Sequence, residues 1–326
     1  MGSLDGRIAV VAGATRGAGR GIARALGDAG AFVYCTGRSV RGNPSAYGRP
    51  ETIDETAEMI TRAGGRAAAV RVDHTVESEV EALFTRVKDE HGRLDVLVNS
   101  IAGEDPMMKA YGWFWTAKLE NADAVLRHAL VSHIITAKHA ALMMIERTHG
   151  LIVEVTENDV LSAGGNPLAQ SVKLSLKGRA LNMAAELMPY NVAAIAVTPG
   201  FLRSEAMLEH FGVTEANWRD GGKRDSNFLQ SESPLFVGRA VAALAADPTV
   251  IERSGQLYSS WELAKDYGFT DEDGSRPDWG SHAIDWSEFP PDFMAYFRNG
   301  GAMQLKWLEA VTERTRRFIA KIPGSD

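Results

Sequence analysis

The chain has 326 residues, a formal net charge of −7 at pH 7, 45% apolar and 24% charged residues. These proportions are ordinary for a globular protein and exclude wholesale disorder or a collagen-like repeat. The absence of a basic excess argues against a nucleic-acid partner, because phosphate backbones are bound largely through Lys and Arg. The length allows two domains, or one large α/β domain with extensions.

Cysteine usage and hydropathy bear on the compartment. The single cysteine, Cys35, cannot form an internal disulfide, which favours a reducing compartment and predicts no cysteine metal cluster. No signal-peptide core precedes the first apolar run. No apolar run approaches the roughly 20 residues that a membrane span needs. We therefore expect a cytoplasmic protein with no membrane partner and no bound metal.

Short apolar runs alternate with helical periodicity along most of the chain. The first run, residues 7–12 (RIAVVA), ends at a glycine turn, as is typical of a buried parallel strand. Further strands are predicted at residues 31–36, 67–72, 94–99, 151–156, 192–198 and 255–259. Helices are predicted at residues 17–29, 51–63, 76–91, 120–147, 170–188 and 235–246. This alternation predicts an α/β fold, a Rossmann-type doubly wound parallel sheet with helices on both faces.

The C-terminal part departs from that alternation. Residues 262–300 are rich in Asp, Gly, Pro and aromatic residues, and residues 301–321 predict one amphipathic helix. Three roles are open for that helix. It packs on its own domain, or it contacts another subunit, or it covers the site. We predict a Rossmann-type domain over residues 1–261 and a C-terminal extension over residues 262–326, packed on that domain or on a partner subunit.

A glycine loop follows the first predicted strand. Gly13, Gly17 and Gly19 give a G-x-x-x-G-x-G spacing between a strand and a helix. Glycine lets the backbone approach a pyrophosphate, and the helix N-terminus supplies unpaired N–H groups. The alternative is a turn with a purely structural role, but its place at the start of a βαβ series favours a dinucleotide site.

Two arginines indicate which dinucleotide is bound. Arg38 follows the second strand, where an acidic residue would bind the ribose 2′-hydroxyl of NAD. An arginine there suits a 2′-phosphate, and Arg16 in the glycine loop adds a second cation. Each alone is commonly a solvated surface residue. Together they predict NADP(H).

Further motifs follow at regular places. Asp73 comes after the third strand, Asn99 ends the Leu-Val-Asn run of the fourth, Lys173 lies in a long helix, and Pro199-Gly200 follows the sixth strand. With the glycine loop, these motifs make residues 5–260 resemble the short-chain dehydrogenases/reductases. The resemblance implies an oxidoreductase with a nicotinamide cofactor.

The resemblance also implies residue roles. By it, Asp73 contacts adenine, Asn99 closes the adenine-ribose side, Lys173 holds the nicotinamide ribose, and residues 199–204 lie along the nicotinamide. The predicted cofactor-binding residues are Gly13, Arg16, Gly17, Ala18, Gly19, Arg38, Ser39, Asp73, His74, Asn99, Lys173, Pro199, Gly200 and Ser204.

The catalytic positions depart from the family pattern. The family uses an Asn-Ser-Tyr-Lys set, in which Tyr precedes Lys by four residues. Ala169 stands at the tyrosine position, Glu157 takes the place of the serine, and the asparagine falls near Ala129, so only Lys173 remains. No Tyr lies between residues 112 and 188, so a shift in alignment cannot restore it.

His133 lies one turn beyond Ala129 and is a candidate to replace part of the asparagine's relay; a structural histidine is the alternative. The predicted catalytic residues are Glu157, Lys173 and His133.

A carboxylate at the serine position changes the chemistry. Reduction of a ketone builds negative charge on oxygen, which an ionised Glu157 would repel. If burial raises the pKa of Glu157, its carboxyl group is itself the acid that donates the proton. The alternative is that Glu157 is a solvent-exposed loop residue with no role in the reaction. A carboxylate suits a positively charged substrate such as an iminium. Aromatic rings either help to hold that cation through their faces or have an ordinary packing role. The candidate aromatic residues are Tyr111, Trp113, Phe114 and Trp115.

Three functions remain open. The first is an NADPH-dependent reductase of a C=N bond or an activated C=C bond in a small, possibly cationic molecule. The second is a non-redox cyclase, isomerase or dehydratase that uses Glu157 with Lys173. The third is a cofactor-binding protein without catalysis. Members of the family pair two long helices, here 120–147 and 170–188, which implies a homodimer or homotetramer.

Overall fold

The computed structural model describes residues 2–43, 45, 48–102, 119–157 and 167–283. Its centre is a seven-stranded sheet in the order β3-β2-β1-β4-β5-β6-β7, with every pair of neighbours parallel. The strands are β1 Ile8–Ala12, β2 Phe32–Gly37, β3 Arg66–Arg71, β4 Val96–Asn99, β5 Gly150–Val155, β6 Val192–Thr198 and β7 Leu257–Ser259. The predicted Rossmann-type α/β fold is confirmed.

Helices cover both faces of this sheet. They are α1 Gly17–Asp28, α2 Ile53–Arg62, α3 Glu77–His91, α4 Ala122–Leu126, α5 Ser132–Glu146, α6 Pro167–Leu187, α7 Glu205–Phe211, α8 Pro234–Ala246, α9 Ser260–Tyr267 and α10 Trp279–Ala283. A π-helical turn, Arg127–Val131, joins α4 to α5 and is called the π-turn below.

Two apolar cores lie on opposite sides of the sheet. Val11 belongs to a core with residues of α1, α2 and α8. Val10, its neighbour in β1, belongs to a second core with residues of α3, α5 and α6. Successive residues of a strand point to opposite faces, so a strand covered on both faces is apolar throughout. This is why the strands could be recognised as short continuous apolar runs.

The helix predicted at residues 120–147 has the expected extent but not the expected regularity. Its backbone stays right-handed helical through Leu126 (φ −62°, ψ −40°) and Ser132 (φ −57°, ψ −41°), while residues 127–131 form the π-turn. A π-turn accommodates one extra residue, which apolar periodicity does not reveal. Such turns are frequent at functional sites, and this one contains Ala129, near which the sequence resemblance predicts the family's asparagine.

Residues after β7 continue to pack on the sheet domain. Helix α9 spans the predicted boundary after residue 261, and the Asp271 carboxylate accepts a hydrogen bond of 2.8 Å from the Ser233 backbone N–H. The helix predicted at 301–321 lies outside the described residues. Within the described ranges, no helix has both the length and the apolar character required to cross a bilayer.

Candidate functional site

The glycine loop packs tightly at the carboxyl end of β1. Gly13 and Gly17 have positive φ angles of +87° and +53°, which glycine adopts without strain. A Cβ on Gly13 would lie 2.2 Å from the Ser100 carbonyl oxygen, and one on Gly19 would lie 2.1 Å from the Gly13 oxygen. The close approach leaves the N-terminus of α1 beside the loop that follows β4. This is the arrangement that holds a pyrophosphate in dinucleotide-binding folds.

A cleft of about 240 Å³ opens next to this loop. It lies where the strand order reverses, with β2 on one side of β1 and β4 on the other, the usual ligand position in such sheets. We call it the cofactor cleft. Residues that line it include Gly13, Thr15, Arg16, Arg38, Ser39, Asn43, Arg71, Asp73, His74, Ile101, Ala102 and His128.

The cleft brings together most of the predicted adenosine-side residues and adds some that sequence reasoning missed. Gly13, Arg16, Arg38, Asp73 and their neighbours Ser39 and His74 all line it. Thr15, Asn43, Arg71 and His128 also line it but were not predicted. Their only sequence signal is a position at the end of a strand, shortly after one, or in the long helix.

The two arginines predicted to bind the cofactor differ in their partners. Arg16 Nη1 lies 3.5 Å from Glu51 Oε2, and the same carboxylate is contacted by Arg49. Arg38 makes no ion pair or hydrogen bond to any residue that the structure describes. Its guanidinium is therefore the better placed to bind an added anion.

Asp73 is held as a carboxylate at the end of β3. Its Oδ1 accepts hydrogen bonds from the Thr75 backbone N–H (2.9 Å) and hydroxyl (2.7 Å). Burial opposes ionisation of Asp73, but these hydrogen bonds and the nearby charge of Arg38 outweigh it and lower its pKa. Asp73 and Arg38 therefore present opposite charges within the cleft.

His74 serves as a buried bridge. Its Nε2 lies 2.8 Å from Thr36 Oγ1 and its Nδ1 lies 2.9 Å from Thr136 Oγ1. Burial, reinforced by the charge of His133, lowers the pKa of His74 to about 3. The ring is neutral at physiological pH and ties β2 to α5 at the base of the cleft.

The segment after β6 closes over the glycine loop. Ser204 caps α7 and lies 3.7 Å from the Cβ position of Gly17. The next residue, Glu205, accepts a 2.8 Å hydrogen bond from the Gly17 backbone N–H. Ala18 packs against the core between α1 and the sheet. The predicted cofactor residues of the two segments are therefore neighbours.

The Pro199-Gly200 turn is held in place by a hydrogen bond and by close packing. The Gly200 N–H donates a 2.9 Å hydrogen bond to the buried carboxyl of Glu232, which also accepts from the Ser260 hydroxyl at 2.5 Å. A Cβ on Gly200 would lie 2.7 Å from the Cβ of Trp279. Because Trp279 fills the space that a side chain would need, the turn requires glycine at position 200.

Two predicted catalytic residues form a direct contact. Lys173 Nζ, in α6, lies 2.5 Å from Glu157 Oε2, just after β5. The Glu157 side chain is 60% exposed and that of Lys173 is 26% exposed. Residue 169 lies one turn before Lys173 in α6. The aromatic residues predicted to line the site, at 111 and 113–115, lie outside the described residues.

A buried cluster of polar side chains was not anticipated. Glu154 in β5 is fully buried; its carboxylate accepts from Asn99 Nδ2 (2.9 Å) and Arg179 Nη2 (2.6 Å), and it lies 2.7 Å from His133 Nδ1. We call these four residues the Glu154 cluster. The one sequence signal was an acid inside an apolar strand. Burial opposes ionisation of Glu154, but His133 and Arg179 outweigh it and lower its pKa.

Comparison with known proteins identifies the family. Residues 7–212 match the family model described as short chain dehydrogenase. The chain belongs to the short-chain dehydrogenase/reductase family. It is 34% identical over 276 residues to the mouse protein named dehydrogenase/reductase SDR family member 1, covering 83% of this chain and 85% of the relative.

Solved structures agree at the level of the fold. A hydroxysteroid dehydrogenase from Escherichia coli matches with a TM-score of 0.62 at 23% identity, covering 78% of this chain and 95% of that one. An NADPH-dependent reductase involved in bacilysin biosynthesis matches with a TM-score of 0.62 at 21% identity, covering 78% and 96%. Members of this short-chain dehydrogenase/reductase family are oxidoreductases, so the chain is an oxidoreductase by family.

Proposed function

We propose that the protein is an NADPH-dependent oxidoreductase that reduces an iminium-type C=N bond, or an activated C=C bond, of a small molecule. The contact between Glu157 and Lys173 carries this proposal. It puts a carboxylate beside the family's lysine, at the serine position, in a sequence whose tyrosine position is Ala169.

The cofactor cleft suits NADP(H). The glycine loop leaves no room for a Cβ at Gly13 or Gly19, which keeps its backbone close to a bound pyrophosphate. Arg38 and Arg16 offer cationic groups to a 2′-phosphate, and Ser39 lines the same cleft. When bound, the reduced nicotinamide supplies a hydride. The chain's own residues bind and orient it.

The charge at Glu157 selects the substrate class. Hydride addition to a carbonyl leaves negative charge on oxygen, which an adjacent carboxylate destabilises. Hydride addition to an iminium removes a positive charge and needs no proton on oxygen. Because 60% of the Glu157 side chain is exposed, a cation can reach the carboxylate without breaking its contact with Lys173. The pair therefore orients a cationic substrate electrostatically.

The test is oxidation of NADPH, followed by absorbance, with matched pairs of cyclic imines and the corresponding cyclic ketones. We expect consumption of NADPH with imines at a pH where they are protonated. Turnover of the ketones alone would overturn the choice of substrate class. NADH supporting turnover as well as NADPH would overturn the choice of cofactor.

The same contact supports a second candidate, a non-redox cyclase, isomerase or dehydratase. A carboxylate and an ammonium 2.5 Å apart can hold and return a proton without any hydride transfer. In that case NADP is structural. Product formation by the NADP⁺-loaded protein with no change in nicotinamide absorbance would favour this alternative.

We further propose a cytoplasmic homodimer or homotetramer. Ile134 and Leu142 on α5 are 53% and 56% exposed, and Leu174 on α6 is 44% exposed. Exposed apolar side chains on two neighbouring helices favour burial against a second copy. The lone buried Cys35 is consistent with a reducing compartment.

A further inference from the structure

We propose that His133 is a positioning residue: its ring joins the buried carboxylate of Glu154 to the loop that forms one wall of the cofactor cleft, and thereby sets the affinity for NADP(H). The inference rests on the proposed use of that cleft by a nicotinamide cofactor. It assigns His133 a different task from the catalytic one suggested by its place in the sequence.

Both ring nitrogens of His133 are engaged. Nδ1 lies 2.7 Å from Glu154 Oε2, and Nε2 lies 3.0 Å from the carbonyl oxygen of Ile101. A carboxylate and a carbonyl only accept, so both contacts are hydrogen bonds when each nitrogen carries a hydrogen. The ring is 1% exposed. With both nitrogens engaged and no open path to a substrate, the ring acts as a rigid link.

The anchor at the Glu154 end is fixed. Glu154 is fully buried, and Asn99 and Arg179 each donate to its carboxylate. Hydrogen bonds to charged groups are the stronger class, and a buried carboxylate with several donors has little freedom to move. The Nδ1 side of His133 is thus held by the Glu154 carboxylate of β5, the strand beside β4.

The other end of the link is the cleft wall. Ile101 and Ala102 line the cofactor cleft. The preceding residue, Ser100, donates a 2.9 Å hydrogen bond from its N–H to Ala12, and its carbonyl oxygen blocks any Cβ on Gly13. The His133 contact fixes the Ile101 peptide, so its loss would let the wall move relative to the glycine loop.

The Glu154 cluster also supports the π-turn. Arg179 Nη1 lies 3.4 Å from the Leu130 carbonyl oxygen, and Asn99 Nδ2 donates to the His133 carbonyl at 3.2 Å. A π-turn disturbs the regular helical pairing of carbonyl groups, and these donors meet groups within and just after it. The cluster connects β4, β5, α6 and the helix that carries His133, so the position of that ring is set from several sides.

Two substitutions at one position separate positioning from simple stability. The amide of Asn overlaps roughly the Nδ1 side of a histidine ring, and the amide of Gln reaches roughly to Nε2. His133→Asn therefore keeps a donor for Glu154 and loses the Ile101 contact, whereas His133→Gln keeps the Ile101 contact and loses the contact with Glu154. NADPH affinity is measured by fluorescence titration, and stability by thermal unfolding without cofactor.

We expect His133→Asn to weaken NADPH binding by about fivefold or more, the effect of one lost hydrogen bond, with a small change in Tm. His133→Gln should bind NADPH within about twofold of wild type but unfold at a lower Tm. If NADPH affinity follows Tm in both variants, His133 is merely structural and the proposal fails.

Two outcomes separate this inference from the proposed function. A wild-type protein that binds neither NADPH nor NADH overturns the proposed function and the inference with it. Wild-type binding together with unchanged affinity in His133→Asn overturns the inference alone. If His133→Asn does not fold, His133→Gln decides, because the inference requires it to retain wild-type affinity for NADPH.

Discussion

Lys173 Nζ and Glu157 Oε2 lie 2.5 Å apart, across the gap between α6 and the end of β5. By the sequence resemblance, the lysine is expected to be the one that short-chain dehydrogenases/reductases keep in their catalytic set. We expect from the sequence resemblance that the glutamate takes the position of their serine. Opposite charges at this distance hold each other in place, and under the proposed function they give the site a carboxylate in place of the family's neutral hydroxyls.

Glu157→Gln should lower turnover of a cationic substrate by at least about tenfold, equivalent to about 1.4 kcal/mol, because the amide keeps the size and loses the charge. NADPH affinity should change less than turnover does, since Glu157 does not line the cofactor cleft and acts on a predicted cofactor residue only through Lys173. Steady-state kinetics and a binding titration measure the two effects.

Glu146→Gln is the matched control for that prediction. Glu146 forms an exposed ion pair of 2.9 Å with Lys88, on a different part of the surface. It should leave turnover unchanged. Equal activity of wild type and Glu157→Gln on the true substrate would make Glu157 a bystander.

Arg38→Ala should weaken NADPH binding by about tenfold or more while NADH affinity changes little, because the proposed partner of the guanidinium is the 2′-phosphate, which NADH lacks. Isothermal titration with both nucleotides measures this. The control is Arg41→Ala, three residues further on, where a 65% exposed side chain already pairs with Glu58. Equal losses for the two nucleotides would contradict the NADP(H) assignment.

Ala169→Tyr should create measurable carbonyl reductase activity, because it restores a phenol one turn before Lys173. Ala169→Phe adds the same ring without the hydroxyl and should remain inactive on ketones. NADPH oxidation with a ketone panel checks both. Ketone reduction by Ala169→Phe at the rate of Ala169→Tyr would show that the hydroxyl is not the proton donor.

Light scattering of the wild type at micromolar concentration should give two or four times the chain mass of 35.3 kDa. Ile134→Glu combined with Leu142→Glu should reduce that mass, because charges on the exposed face of α5 cannot be buried against a second copy. Leu229→Glu, at another 44% exposed leucine, is the control. A wild-type mass near 35 kDa would refute the assembly.

Glu232 should make the protein less stable at alkaline pH. Burial raises the pKa of Glu232 to about 8, Asp271 reinforces the shift, and Ser260, Gly200 and Arg203 partly oppose it. The folded-state pKa lies above the unfolded value, so folding takes up a proton. This contribution is complete below pH about 4.5 and is lost as pH rises through about 8, a change on the order of 5 kcal/mol.

Urea unfolding of wild type and Glu232→Gln at pH 5, 7 and 9 measures this effect. The neutral amide should flatten the decline in the free energy of unfolding between pH 5 and 9. Glu262→Gln, at a residue that caps α9 through Ser259, controls for loss of a carboxylate nearby. Parallel pH curves for wild type and Glu232→Gln would contradict the predicted titration.

Much of the fold follows from local sequence. Residues 7–12 and the later apolar runs alternate with helical periodicity, and this suffices for a parallel sheet with helices on both faces, because each strand is buried on both sides. The glycine loop and Arg38 also follow from local sequence, since a strand, a turn and a helix N-terminus are contiguous in the chain. The resemblance to the family then predicted that Glu157 and Lys173 lie in one site, and their side chains are in contact in the structure.

The Glu154 cluster was decided only by tertiary structure. Its members come from β4, α5, β5 and α6, and Asn99 and Arg179 are 80 residues apart in the chain. Glu205 likewise meets Gly17 across 188 residues. Each of these side chains, viewed in its own segment, is an ordinary polar residue, because periodicity and spacing report only neighbours along the chain. Which buried charge meets which donor depends on how the helices pack on the sheet, and that packing is what brings His133 between Glu154 and the cleft wall.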